Sequence, residues 1–129
     1  MNKERQEQRF FICRHCGNLV GLVRNAGVPM VCCGEPMEEL VPNANGVTEK
    51  HQPVIKQEGS RVTVTISSVL HPMTEEHFIE WIYLETDRGG QRKALSPGEA
   101  PEAVFLLEDD EVIAAYAYCN LHGLWKTER

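Results

Sequence analysis

Two groups of residues have the types and spacings to do metal chemistry. The first is Cys13-x-x-Cys16 followed by the adjacent pair Cys32-Cys33, with fifteen residues between Cys16 and Cys32. Four thiolates can surround one ion tetrahedrally if their sulfurs come within ~3.8 Å of one another, the spacing that follows from metal–sulfur bonds of about 2.3 Å. Two intervening residues let the first pair curl around an ion. The second pair is less usual, because adjacent residues of an extended chain point to opposite faces. Both sulfurs reach one ion only if the backbone bends sharply, and such a bend is expected to distort the tetrahedron. Gly34 and Pro36 provide residues suited to a turn. Zinc and iron both accept four thiolates, so spacing does not choose between them. His15 lies inside the first knuckle, but four sulfurs already complete the set, so it is expected to face solvent.

The second group is dispersed. Cys119, the one cysteine outside the first cluster, stands three positions before His122, a chelating spacing for a thiolate and an imidazole. His51, His71 and His77 occur in "EKHQP" and "LHPMTEEH", where turns flank strand-like segments. Taken singly, each histidine suits an ordinary surface or core position. Taken together, four imidazoles and one thiolate make one ligand too many for a closed tetrahedral zinc and suit an octahedral iron with one position open.

These side chains need elements to hold them. The first ~40 residues are glycine-rich and poor in apolar side chains, and a piece of that size seldom folds without a staple. "VPNANGV", residues 41–47, reads as a turn-rich linker, which places a domain boundary between residues 1–41 and 42–129. Beyond it, "RVTVTISSV" alternates Val62, Val64 and Ile66 with threonines, the period of a half-buried strand. "FIEWIYLETD" reads as a strand that runs into a turn at "DRGGQ", and "AVFLLEDDEVIAAYAYC" as two strands joined at Glu108-Asp109-Asp110. "HPMTEEHFIEW" carries a possible helix start at Thr74 but is read as a loop entering a strand. The sum is a mainly β protein: a small metal-stapled domain, then an antiparallel sandwich.

Composition excludes some functions. With 13 Lys and Arg against 19 Asp and Glu, the formal net charge of −6 disfavours nucleic acid and anionic membranes as partners. It also requires a local positive feature if a small anion is to be drawn in. The polar start "MNKERQEQRF" lacks the apolar stretch of a secretory signal, and no run approaches the ~20 apolar residues of a membrane span. A cytoplasmic location is expected, where clustered cysteines bind metal or do redox chemistry more often than they form disulfides. Two non-enzymatic readings stay open on the residues alone: a zinc-stapled β protein with incidental histidines, and an electron carrier working through the four-cysteine site.

The motifs "FICRHCGNLV", "CCGEPMEEL", "TEKHQPVI", "HPMTEEHFIEWIYLET" and "YCNLHGLWK" together resemble those of the desulfoferrodoxin family of two-iron superoxide reductases over nearly the full chain. The resemblance implies a desulforedoxin-like domain holding an Fe(Cys)4 centre through Cys13, Cys16, Cys32 and Cys33. It further implies an immunoglobulin-like sandwich holding a second iron, with His51, His71, His77 and His122 equatorial and Cys119 axial. Glu49 and Lys50 match the family's helper positions: a carboxylate for the open site of the resting ferric iron and a cation that attracts the substrate. The implied reaction is one-electron reduction of superoxide to hydrogen peroxide in a homodimer. Electrons are expected from a rubredoxin-like protein or an NAD(P)H-linked reductase.

Overall fold

The structure is a computed structural model that describes residues 7–44, 51–67 and 70–129. The described residues form strands and turns with no helix, and none of them forms a helix long and apolar enough to cross a membrane. The chain divides into two compact units, Met1–Val41 and Pro42–Arg129.

In the first unit, strands β1 (Arg9–Ile12), β2 (Leu19–Leu22) and β5 (Glu38–Leu40) form an antiparallel sheet in the order β2-β1-β5. A short hairpin of β3 (Val31–Cys32) and β4 (Glu35–Pro36) lies between β2 and β5 in the chain. Among the described residues of this unit, Phe10, Ile12 and Leu40 are the buried apolar side chains besides Cys13. At ~1.5–3 kcal/mol for each large side chain, so small a core does not offset the ordering of some 35 residues, which agrees with a metal staple. Two ion pairs brace the sheet edge: the Arg9 guanidinium donates to both carboxylate oxygens of Glu39 at 2.8 and 2.6 Å, and Arg14 does the same to Glu38 at 3.1 and 2.9 Å.

The second unit is a two-sheet sandwich. Its strands are β6 (Pro53–Glu58), β7 (Arg61–Ile66), β8 (Ile79–Thr86), β9 (Gly89–Ala94), β10 (Glu102–Leu106), β11 (Val112–Cys119) and β12 (Gly123–Glu128). One sheet runs β10-β7-β6 and the other β12-β11-β8-β9, all pairs antiparallel. The alternation in β7 is realised as expected: Val62, Val64 and Ile66 are fully buried, and Thr63 and Thr65 lie between them at intermediate exposure. They pack with Ile82, Leu84, Phe105, Ala115 and Ala117 to form the core.

Two segments show how the sandwich is closed. The strands on either side of Glu108-Asp109-Asp110 are present, but they do not pair; β10 joins β7 in one sheet and β11 joins β8 and β12 in the other. The acidic segment is therefore a crossover between sheets, with Asp109 in the left-handed region at φ 65°. The segment from Thr74 is a turn closed by paired backbone bonds, Thr74 N–H to His77 O at 3.0 Å and His77 N–H to Thr74 O at 3.2 Å. It enters β8 without a helix.

Candidate functional site

The four-cysteine cluster is assembled by two turns of the first unit. At the knuckle, Gly17 N–H donates to Cys13 O and Cys13 N–H to Asn18 O, both at 2.8 Å, with Gly17 at φ 87°. At the hairpin, Cys32 pairs with Glu35, which leaves Cys33 and Gly34 as the central residues of a two-residue turn. Both have positive φ, 54° and 79°, the pattern of a type I′ turn. The sharp bend that the Cys-Cys pair requires is thus carried by Cys33 itself, at a cost of about 1 kcal/mol or more for a non-glycine residue there. As a result all four sulfurs lie within 4.8 Å of one another, and Cys16 Sγ and Cys32 Sγ are 3.6 Å apart.

Protonation chemistry in the cluster points to a cation. The backbone N–H of Cys16 stabilises the Cys13 thiolate and brings that group down to about 6. Contacts with the Cys13 and Cys16 side chains push Cys33 up to about 12, and the same two neighbours raise Cys32. Thiolates this close cannot all ionise unless a positive ion lies among them. His15 faces outward and meets the Glu35 carboxylate at 2.9 Å, as expected of a non-ligand.

The second cluster gathers at one end of the sandwich. His51 precedes β6, His71 and His77 lie on the β7–β8 connection, Cys119 ends β11, and His122 sits in the β11–β12 turn. The four imidazoles form a closed ring in chain order. Successive centroids are 4.9 Å (His51–His71), 4.6 Å (His71–His77), 5.0 Å (His77–His122) and 4.7 Å (His122–His51), with planes 62–79° apart. His51 Nε2 and His122 Nδ1 are 3.0 Å apart. That equals the separation of two nitrogens at right angles about a metal with bonds of ~2.1 Å. Cys119 Sγ lies 3.7 Å from the same His122 Nδ1, and the five donor atoms all fall within 4.8 Å of one another.

Several details show donors prepared for an ion. His71 Nδ1–H donates to Pro72 O at 2.7 Å, which fixes the tautomer and leaves Nε2 with a lone pair. The Nε2 atoms of His71 and His77 are buried with no hydrogen-bond partner among the described residues, a costly state for polar atoms. Burial, above the charges of His77 and His122, lowers the His71 pKa and keeps that ring neutral. Burial also raises Cys119, against the pull of the Leu121 and His122 backbone N–H groups, with Glu80 adding to the rise. A buried thiol of this kind ionises when a cation coordinates it. The residues fit metal at both clusters, and the donor sets are those of an Fe(Cys)4 and an Fe(His)4(Cys) centre.

Cys119 continues the alternation of β11 that buries Ala115 and Ala117, so its side chain lies on the core side, and a bulge on the neighbouring strand faces Ile79 toward the same core. Tyr118 pairs with Trp81 but Cys119 pairs with Ile79, so Glu80 is the extra residue of a bulge. Three residues without a metal-binding role in the sequence reading position the ligands. Asn120 ties the His122 turn to the His77 loop: its Oδ1 accepts from Phe78 N–H at 2.9 Å, and its Nδ2 donates to Glu76 O at 3.0 Å. Trp125 stacks on His51, and Asn18 contacts two sulfurs of the first cluster. Their signal was proximity: Asn120 and Trp125 flank His122 in "CNLHGLW", and Asn18 follows the first knuckle in "CGN". Glu49 and Lys50 lie outside the described residues.

Comparison with known proteins agrees with both units. A family model described as desulfoferrodoxin matches residues 43–128, and one described as the desulfoferrodoxin N-terminal domain matches residues 5–40. Desulfoferrodoxin from Nitratidesulfovibrio vulgaris is 46% identical over 123 residues, covering 95% of this chain and 97% of the relative. A superoxide reductase from Pyrococcus horikoshii is 36% identical over 110 residues, 71% of this chain and 96% of its own. The crystal structure of superoxide reductase from Treponema pallidum superposes with a TM-score of 0.80 at 39% identity, covering 95% of this chain and 98% of that one. With both domain models matched in order and both metal clusters assembled, the chain belongs to the desulfoferrodoxin family.

Proposed function

We propose that this protein is a superoxide reductase, which converts superoxide to hydrogen peroxide by adding one electron and two protons, without releasing oxygen. The observation that carries this reading is the closed ring of four imidazoles whose donor atoms converge with the Cys119 sulfur. Five donors would leave an iron held there able to take one further ligand. The sulfur is fully buried on the core side, whereas His122 is exposed, so a small anion would reach an ion held there from the His122 side. Iron at such a site supplies one-electron chemistry toward a small diatomic ligand.

The chain's own residues do the rest. His51, His71, His77 and His122 would hold the ion through their imidazole nitrogens, and Cys119 would supply a thiolate, a strong electron donor. Lys50 supplies a local positive field that draws an anion toward a protein of net charge −6. Glu49 would offer a carboxylate to the bound iron while no substrate is there. Each turnover consumes one electron, so an outside donor is needed, a rubredoxin-like protein or an NAD(P)H-linked reductase. Cys13, Cys16, Cys32 and Cys33 would hold the other iron, and exposure of Cys16 and Cys33 supports a relay role by bringing two sulfurs within reach of that donor. Val23, Val28 and Val31, at 98, 74 and 66% exposure, support association of two copies through the first unit.

Rapid mixing of the reduced, iron-loaded protein with superoxide tests the function. The expected products are one hydrogen peroxide per superoxide and one oxidised iron, with no oxygen evolved. Release of half an oxygen molecule per superoxide would identify a dismutase and end this reading.

A further inference from the structure

Asn18 commits three polar groups to the four-cysteine cluster. Its carbonyl accepts from Cys13 N–H at 2.8 Å. Its own backbone N–H is directed at Cys16 Sγ, 3.5 Å away. Its side-chain Nδ2 reaches the other arm of the site and lies 3.7 Å from Cys32 Sγ. A thiolate repels an amide oxygen and attracts an amide N–H, so the NH2 end faces the sulfur. One residue therefore donates to a sulfur on each arm.

The two donors differ in what encodes them. A backbone N–H toward Cys16 is available whichever residue stands at position 18, whereas the Cys32 contact exists only because the side chain is asparagine. Cys32 is partly exposed and Cys16 exposed. Solvent dipoles at such a site must reorient when the iron changes charge, and a fixed amide need not. Reduction adds one negative charge to an Fe(Cys)4 centre, much of it on sulfur, so a hydrogen bond to sulfur is stronger in the ferrous form and raises the potential.

We propose that Asn18 is a positioning residue that raises the reduction potential of the four-cysteine iron by donating its side-chain amide to the Cys32 sulfur. The proposal rests on iron occupying that cluster and not on the superoxide reaction, so the two fail separately.

The test uses the full chain with both irons bound and follows the four-cysteine centre by optical redox titration, the other iron serving as internal reference. Asn18→Ala is expected to shift the ferrous-to-ferric ratio at a fixed ambient potential roughly tenfold toward ferric, ~59 mV for one electron. Asn18→Asp, which presents a charged oxygen to the sulfur, shifts it further in the same direction, and Asn18→Ser, with a hydroxyl donor, recovers part of the change. A purely structural role would alter iron retention without this ordering. Ratios within twofold of the parent in both Asn18→Ala and Asn18→Asp would overturn the proposal. Failure of both variants to hold iron would overturn it too, since Asn18 would then be needed to build the centre and not to tune it.

Discussion

The Trp125 indole lies flat against the His51 imidazole, with ring centroids 4.6 Å apart and planes 13° from parallel. Trp125 is 2% exposed and His51 8%, so the pair forms a wall between core and metal site. His51 stands just before β6, whereas the other four donors come from the β7–β8 connection, the end of β11 and the β11–β12 turn. The stack is what orients its ring toward His122.

Loss of that wall is expected to loosen the metal. Trp125→Leu should destabilise the second unit by about 3 kcal/mol, as for other large buried aromatics, and weaken iron retention at the histidine cluster ~10-fold or more. Trp125→Phe keeps a stacking surface and should lose far less. Iron release to a chelator, followed for each centre in visible light, checks this; equal release from the Leu and Phe variants would rule out orientation by stacking.

Cys119→Ser replaces the soft sulfur with a hard, weakly donating oxygen. The visible charge-transfer band of the histidine-bound iron and the reduction of superoxide should both disappear, while the four-cysteine spectrum stays. Undiminished turnover in this variant would exclude the sulfur as a ligand.

For Lys50→Ala, the second-order rate with superoxide should fall several-fold and its salt dependence should flatten, because a local field is screened with a Debye length of ~10 Å at 0.1 M salt. The decisive measurement is the rate across ionic strength. A parallel profile, merely offset, would mean that Lys50 does not steer.

Acid stability should report on Arg9 and Glu39. The guanidinium, donating twice, holds the Glu39 carboxyl below its ordinary value. A depressed carboxyl contributes stability that is complete above the unfolded value of ~4.3 and is lost as pH falls through the lower folded value. With both side chains about a third exposed, solvent screening keeps the contribution near the ~0.2–1 kcal/mol of surface pairs. Arg9→Met should therefore move loss of the four-cysteine spectrum to higher pH, by a fraction of a unit. An unchanged acid midpoint would show that the pair contributes nothing.

Much of the site was legible because metal ligands obey local spacing rules. Cys13-x-x-Cys16 announces a knuckle wherever it folds, and Cys32-Cys33 announces that a bend must follow. The β period in Val62, Val64 and Ile66 is equally local, since each residue's face depends only on its neighbours. The joining of β10 and β11 was not legible in the same way. A turn-like run such as Glu108-Asp109-Asp110 says that the chain changes direction, but not whether the next strand stays in the sheet.

By itself the sequence determined the donor types, the four-thiolate cluster and the alternating strands that make a sandwich. Tertiary structure alone decided that His51, His71, His77 and His122 form a ring in that order, that His122 turns Nδ1 inward, and that the Cys119 sulfur comes within reach of it. Those outcomes depend on which strand ends meet and on the register that pairs Cys119 with Ile79 across the bulge at Glu80. The extra residue Glu80 lets Ile79 face the core as Ile82 and Leu84 do, and without it that end of β8 would present the opposite face. Strand register is set by core packing summed over the whole sandwich, and no short segment contains that sum.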